Sequence, residues 1–355
     1  MAKRRDPEEV ARISACWGIR PYAVTPVRAA YRVAGPDGVV ALKASRKDAK
    51  RLKLLDQAFR HLEAAGFHKS APLLPTRRGE PFVSWGEELW TASPWREGRE
   101  PEYRLSGDLA RCVVTLAGFH LCGLGFRPTG VSLRNALGRW PEKLRRRAGE
   151  VRQYLARVGE TPAADDFQLI LRRLGPTLLR QAELASTSLE RTDYARRCAW
   201  AEEARPLCHG DASNRNFILG ADGVAYLIDL ESLKLDLPEI DLCRLLRRTL
   251  RRTGWKLEVA REILAAYSRF APLETPAKAI ILALLHFPDK AWRLMKQYFG
   301  AQGPHENEDE EKNGPSVRRL TCKLRRVEEE LPAWQSFLQG FAEWYGLGGV
   351  MATER

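Results

Sequence analysis

The chain has 355 residues, 44% of them hydrophobic, with a net charge of +13; that apolar content suits one large core or two modest ones and excludes a disordered or fibrous polymer. No apolar run approaches the length of about 18 residues that a membrane helix needs, and Met1 to Pro7 leads into a charged helix start with no hydrophobic signal segment, so a cytoplasmic protein is expected. The seven cysteines, Cys16, Cys112, Cys122, Cys198, Cys208, Cys243 and Cys322, form an odd set without Cys-x-x-Cys, which argues against a disulfide framework or a zinc site and leaves them as small buried hydrophobes. The basic excess is spread along helical segments such as 143–147, 244–252 and 318–326 without interleaved aromatics, the pattern of solvated helix faces rather than of a nucleic-acid surface.

In chain order, Asp6-Pro7-Glu8-Glu9 supplies a capping Asp, a proline at the first helical position and acids in the first turn, before Val10, Ile13 and Trp17. Three short β runs follow, Tyr22-Ala23-Val24, Ala30-Tyr31-Arg32-Val33 and Val39-Val40-Ala41-Leu42-Lys43, with Gly35-Pro36-Asp37-Gly38 as the clearest turn. Residues 48–65 predict an amphipathic helix with Leu52, Leu55, Phe59 and Leu62 on one face. Further β runs are read at Leu73-Leu74, 81–85 and 88–92, and the sheet expected from these six candidates is antiparallel and five-stranded. Ser93-Pro94-Trp95-Arg96-Glu97-Gly98-Arg99-Glu100 then reads as a hinge whose backbone groups suit a purine edge. Beyond Ser106 the pattern is helical, with helices expected at 108–122, 140–158, 165–186, 257–271, 276–299 and 317–344. His120, on an apolar helix with no acid in sequence reach, reads as a satisfied core histidine. The acidic stretch 306–314 predicts a surface loop over 301–316. The division expected is a β-rich lobe over residues 1–94, a hinge at 92–100 and a helical lobe over 95–355.

The most informative stretch is Leu207-Cys208-His209-Gly210-Asp211-Ala212-Ser213-Asn214-Arg215-Asn216, followed by Phe217-Ile218-Leu219, an Ala221-Asp222-Gly223 turn and Val224-Ala225-Tyr226-Leu227-Ile228-Asp229-Leu230-Glu231. His-Gly-Asp alone is a common turn. With an amide five residues on and a hairpin delivering a second carboxylate, however, the stretch supplies a catalytic base and oxygen ligands for Mg²⁺, the parts of a phosphoryl-transfer site. Lys43, at the end of its strand, is placed as a nucleotide kinase places the cation that holds the α- and β-phosphates. Its acidic partner on the helix 48–65 is either Asp56 or Glu63, and the sequence does not choose between them.

A small β lobe with a strand lysine, a hinge, then His-Gly-Asp-x4-Asn, Ile-Asp-x-Glu and Asp241 at the next helix resembles the aminoglycoside and choline phosphotransferase branch of the protein-kinase-like fold. Within that branch, Leu42-Lys43, Gly66-Phe67, 93–100, Gly138-Arg139-Trp140-Pro141, 207–211, 241–248, Ile263 to Tyr267 and Phe287-Pro288 are similar to CotS-type spore-coat proteins, over about residues 8–345. The resemblance implies an α+β fold of two lobes and a site for ATP or another NTP with Mg²⁺. Asp211 would orient the acceptor hydroxyl, and Asn216 and Asp229 would be magnesium ligands. Glu231 is a candidate for a second metal. Lys43 would clamp phosphate, with Asp56 and Trp95 at the nucleotide, and His209 and Asp241 would support the loop structurally, Asp241 by capping its helix or tying down the catalytic loop. A small-molecule acceptor is implied in the helical lobe, between about residues 105 and 186, along with other coat proteins as partners and assembly onto the spore coat. One departure stands out: Thr25 to Ala30, the expected turn between the first strands, holds no glycine to let backbone amides approach a triphosphate. Arg28 is the side chain able to compensate. A coat component that keeps the fold with little or no catalysis is the alternative reading.

Overall fold

The computed structural model describes residues 5–104, 106–159, 163, 165–300 and 316–351; the expected acidic loop lies, apart from Ser316, outside the described residues. The chain forms two compact units. The first comprises Met1–Asn135, Ala201–Asp241 and Ala265–Pro272, and the second Ala136–Trp200, Leu242–Leu264 and Leu273–Arg355.

In the first unit, helix α1 (Pro7–Ser14) starts on the expected Asp6 cap, whose carboxylate accepts from Glu8 N–H. Strands β1 (Ala23–Val27), β2 (Ala30–Gly35), β3 (Gly38–Ser45), β4 (Val83–Trp85) and β5 (Glu88–Pro94) form one antiparallel sheet in the order β1-β2-β3-β5-β4. Leu73-Leu74 is not a strand; Leu74 N–H donates once to the Ala92 carbonyl. The expected turn at Thr25 to Ala30 is also shorter than its sequence suggests. Pro26 and Val27 pair with Tyr31 and Ala30, leaving Arg28-Ala29 as a two-residue connection with Arg28 at φ 55°.

Successive strand residues face opposite sides, and this alternation builds both a core and a site. Tyr31, Val33, Leu42, Trp90 and Ala92 cluster with Val10 and Ile13 of α1. Their neighbours Ala41, Lys43, Thr91 and Ser93 line a cleft on the other face, with Lys43 paired opposite Thr91. Helix α2 (Ala49–Ala64) is capped by Asp48, which accepts from Arg51 N–H, and buries Leu52, Leu55, Phe59 and Leu62. Helix α3 (Ser106–Cys122) carries Thr115, whose hydroxyl donates to the Ala225 carbonyl at 2.8 Å.

In the second unit, α4 (Trp140–Gly159) packs on α5 (Asp166–Glu190), and α5 on α9 (Thr275–His286) and α11 (Val317–Trp344). A helix missed in the sequence, α6 (Tyr194–Ala204), follows α5. Helices α7 (Pro238–Leu250) and α8 (Leu257–Ser268) come before α9. The single helix expected over 276–299 is two, α9 and α10 (Asp289–Gly300). Phe287, at φ −68° and ψ 124°, takes the extended conformation favoured before proline, and Pro288 has no N–H to continue the ladder. Cysteine burial also differs from the expectation at three positions, since Cys322 is exposed and Cys16 and Cys122 are half-buried. Among the described residues no helix is long and apolar enough to cross a membrane.

Candidate active site

The functional hairpin is β7 (Phe217–Leu219) paired with β8 (Ala225–Leu227). Phe217 sits opposite Leu227, and Ile228 N–H donates to the Asn216 carbonyl at 2.9 Å. Asn216 and Asp229 therefore emerge at the same end of the hairpin. Segment 93–100, expected as a hinge, reaches this hairpin too: Arg99 and Leu219 exchange N–H···O bonds of 3.1 and 2.8 Å. Gly98 (φ 155°) makes that approach possible, because a Cβ there would collide with the Leu219 carbonyl oxygen.

The loop before the hairpin leaves β6 (Leu207–Cys208), which pairs with β9 (Lys234–Leu235). Gly210 (φ 80°) is the residue in His-Gly-Asp that no side chain can replace, since a Cβ would strike the Ser232 carbonyl. His209 braces the turn from both ring nitrogens: Nε2 lies 3.0 Å from the Ile228 carbonyl, and Nδ1 accepts from Asp211 N–H at 3.2 Å. That pattern assigns the proton to Nε2. Asp241, fully buried in the first turn of α7, accepts from His209 N–H at 2.6 Å and from Gly210 N–H at 3.0 Å. Of the two roles open in the sequence, it performs the second and ties down the loop.

His120 lies 3.3 Å from Asp241 through Nε2 and 2.7 Å from the Tyr267 hydroxyl through Nδ1. It is the satisfied core histidine expected, but its acidic partner is 121 positions away in sequence and could not be read there. Burial alone would raise the Asp241 carboxyl; the His120 hydrogen bond and charge outweigh it and hold the group well below the usual carboxylate range. Ligand atoms of His120, Cys208 and Asp241 lie within 4.8 Å of one another. Their lone pairs and protons are already engaged, with the Cys208 thiol donating to the Asp236 carbonyl at 3.1 Å.

Asp211 and Asn216 are joined directly: Asn216 Nδ2 donates to the Asp211 carbonyl at 2.7 Å and lies 3.4 Å from its carboxylate. Asn216 Oδ1 has no partner among the described residues. Asp229 adopts the left-handed conformation (φ 61°), which Asp tolerates better than most residues. Lys43 Nζ is 2.7 Å from Glu231 Oε1 and 3.6 Å from Asp229 Oδ1. Burial opposes the Lys43 charge, but the two carboxylates outweigh it and raise its pKa.

Asp56 is not brought to Lys43. It bonds Arg60 one turn along α2 at 3.0 Å, and Glu63 is exposed; the face of α2 toward the cleft is Leu52, Leu55 and Phe59. The lysine partner thus comes from the segment after β8, not from the helix. Arg51, which sequence reasoning missed, fixes that segment by donating to the carbonyls of Glu231 (2.8 Å) and Leu233 (2.6 Å). No motif marks Arg51, because its targets are backbone atoms 180 and 182 residues away. Arg99 and Asp108, also missed, form a two-pronged pair at 2.5 and 2.8 Å.

Lys43, Arg28, Trp95, Asn216, Asp229 and Glu231 all line one cleft of about 570 Å³, a size suited to a nucleotide-scale ligand. Arg28 carries an ion pair to Glu100 at its rim. Trp95 Nε1 is buried in the cleft wall with the Glu97 carboxylate beside it. Carboxylates and an amide oxygen on one wall are hard donors of the kind Mg²⁺ selects, so the residues present fit a metal-bound polyphosphate.

A β sheet bearing a central lysine, joined to a helix-anchored His-Gly-Asp loop and an Asn/Asp hairpin, is the architecture of a kinase-like phosphotransferase. The chain belongs to the phosphotransferase enzyme family, whose pattern matches residues 27–279. It is 25% identical over 279 residues to spore coat protein S of Bacillus subtilis (strain 168), covering 77% of each chain. The fold is similar to an aminoglycoside phosphotransferase from Alicyclobacillus acidocaldarius, with TM-score 0.84, 20% identity and 98% of each chain covered. It is also similar to a spectinomycin phosphotransferase solved with ADP and spectinomycin, with TM-score 0.62, 15% identity and coverage of 94% of this chain and 100% of the other.

Proposed function

We propose that the protein is an ATP- and Mg²⁺-dependent phosphotransferase that acts on a hydroxyl of a small molecule and associates with the spore coat. The convergence of Lys43, Asn216, Asp229 and Glu231 on one cleft, with Asp211 bonded to Asn216, carries this reading. In it, residues 1–94 act as the nucleotide lobe and 95–355 as the helical lobe, with 92–100 as the hinge. Asn216 and Asp229 would hold the metal, whose charge neutralises the phosphates. Lys43 clamps phosphate oxygens, and Trp95 borders the nucleotide. Asp211 would accept the proton of the acceptor hydroxyl as the hydroxyl oxygen bonds the γ-phosphorus and the bond from that phosphorus to the β-phosphate oxygen breaks, releasing ADP, while Asp241 and His209 keep that carboxylate aimed. Such catalysis is positioning and charge compensation.

Coat association rests on the similarity to spore coat protein S and on a net charge of +13, which favours adsorption to anionic layers. A second reading is favoured by the connection Arg28-Ala29, which lacks glycine: a coat component that binds nucleotide with little turnover. Purified protein incubated with Mg-ATP and a panel of hydroxylated small molecules separates the two. Transfer that Asp211→Ala abolishes supports the enzyme; nucleotide binding with no transfer to any acceptor, and a coat defect in the deletion that Asp211→Ala does not reproduce, supports the component.

A further inference from the structure

The second unit holds a small cavity of about 40 Å³ lined by Arg247, Trp255, Phe287, Asp289, Lys290 and Glu330 among others. That volume holds about three waters, or one compact polar group. Its polar lining is unbalanced. The acceptors are engaged: Asp289 pairs with Arg147 and Arg293, and Glu330 with Arg251. The donors are not. Arg247 Nε and Trp255 Nε1 are buried without a hydrogen-bond partner, and half-buried Lys290 has neither an ion pair nor a hydrogen bond among the described residues. Trp255 is 7% exposed and is held in the left-handed conformation (φ 58°), an arrangement that bulky residues rarely adopt. Its backbone N–H is satisfied by the Leu250 carbonyl at 2.8 Å, so only the indole N–H lacks an acceptor.

Native interiors leave few buried donors unpaired, and here two buried N–H groups and an ammonium border one cavity. Burial, Arg251 and Lys323 lower the Lys290 pKa, so an anion in the cavity would relieve the repulsion among these cations. We infer that this cavity, formed by α7, the α9–α10 junction and α11, is a binding site for a compact oxyanion, the carboxylate or phosphate group of a small ligand. Lys290 supplies the charge, Arg247 Nε–H and Trp255 Nε1–H the directed hydrogen bonds, and Phe287 an apolar wall.

The test titrates the full chain calorimetrically with inorganic phosphate and, separately, with acetate, in chloride buffer of matched ionic strength. Parallel titrations use Trp255→Phe, which removes the indole N–H together with its five-membered ring, Lys290→Met, and Lys43→Met to silence the candidate nucleotide cleft. Saturable binding of either anion is expected, weakened at least tenfold by both Trp255→Phe and Lys290→Met and kept in Lys43→Met. The anion that binds more tightly identifies the ligand group. No saturable binding, or binding unchanged in both cavity variants, or binding lost only in Lys43→Met, overturns the inference. Circular dichroism of each variant shows whether it is folded; should Trp255→Phe not fold, Lys290→Met and Lys290→Gln decide.

Discussion

At the residue scale, the cleft depends on who partners Lys43. Its ammonium lies within ion-pair distance of Glu231 and Asp229, and no acid of α2 reaches it. Replacing Lys43 with Met should lower kcat/KM for ATP about 10²- to 10³-fold, the usual cost of removing one charge-stabilising donor from such a site, with most of the change in KM for ATP. Steady-state kinetics at saturating acceptor check this. Asp56→Ala should leave both parameters within about twofold, because among the described residues Asp56 pairs with Arg60 alone and a partly exposed pair of this kind contributes little.

Asp241 offers a harsher substitution. Asp241→Asn removes a charge paired with His120 and turns an NH₂ group toward backbone donors that it previously accepted. A loss on the order of 3 kcal/mol in unfolding free energy is expected, measurable by urea denaturation, together with reduced activity through the misplaced His209–Asp211 loop. The tie from Asp241 to the loop was expected only through the family resemblance, as one of two roles, and its contact with His120 was not legible in the sequence. His-Gly-Asp, Asn216 and Asp229 were, because they are local in sequence and their spacing is set by one hairpin. The Lys43–Glu231 pair spans 188 residues, and Arg51 and His120 act across gaps of similar order, so nothing near them announces the partner.

At the element scale, the alternating strands and amphipathic helices were legible because their periods of 2 and 3.6 survive in the chain. What escaped was decided elsewhere. The β1–β2 connection is shorter than its composition suggests because Pro26 and Val27 find partners in β2. The long apolar run after residue 275 hides a break, because its periodicity continues across Pro288 while its backbone does not.

The end of α9 carries the clearest pH dependence. His286 is 6% exposed, with Nδ1 2.7 Å from Gln181 Oε1 and Nε2 lacking a partner among the described residues, and burial pushes its pKa from 6.5 down to about 4. Between those values the unfolded chain binds a proton that the folded chain refuses. Stability is therefore full above pH 6.5, falls as the pH drops toward about 4, and flattens below it for this group, with a total loss on the order of 3 kcal/mol. Denaturant midpoints across that window should show the slope, and His286→Gln should remove most of it.

At the scale of the whole molecule, the two compact units divide the work unevenly. The first gathers the sheet, α2, residues 93–100 and the β7–β8 hairpin around one cleft, although these segments are separated in the chain by helices of the second. The class of fold was legible in the order of elements and the motif spacing. The grouping into units was not, because it depends on which distant segments pack together. The charge of +13 belongs to this scale too. If adsorption to anionic layers contributes to coat association, retention of a fluorescent fusion on spores should weaken with rising salt, as screening shortens to about 3 Å at 1 M ionic strength. Retention that does not change with salt would point to specific contacts instead.

In the proposed function, the cleft binds a metal–nucleotide complex through the hairpin. The most direct measurement is calorimetric titration of the full chain with a non-hydrolysable ATP analogue, with and without Mg²⁺. Saturable, Mg²⁺-dependent binding that Asp229→Asn weakens at least tenfold and Asp56→Ala leaves unchanged is the predicted result. Absence of binding at millimolar analogue, or binding indifferent to both Mg²⁺ and Asp229, would contradict it.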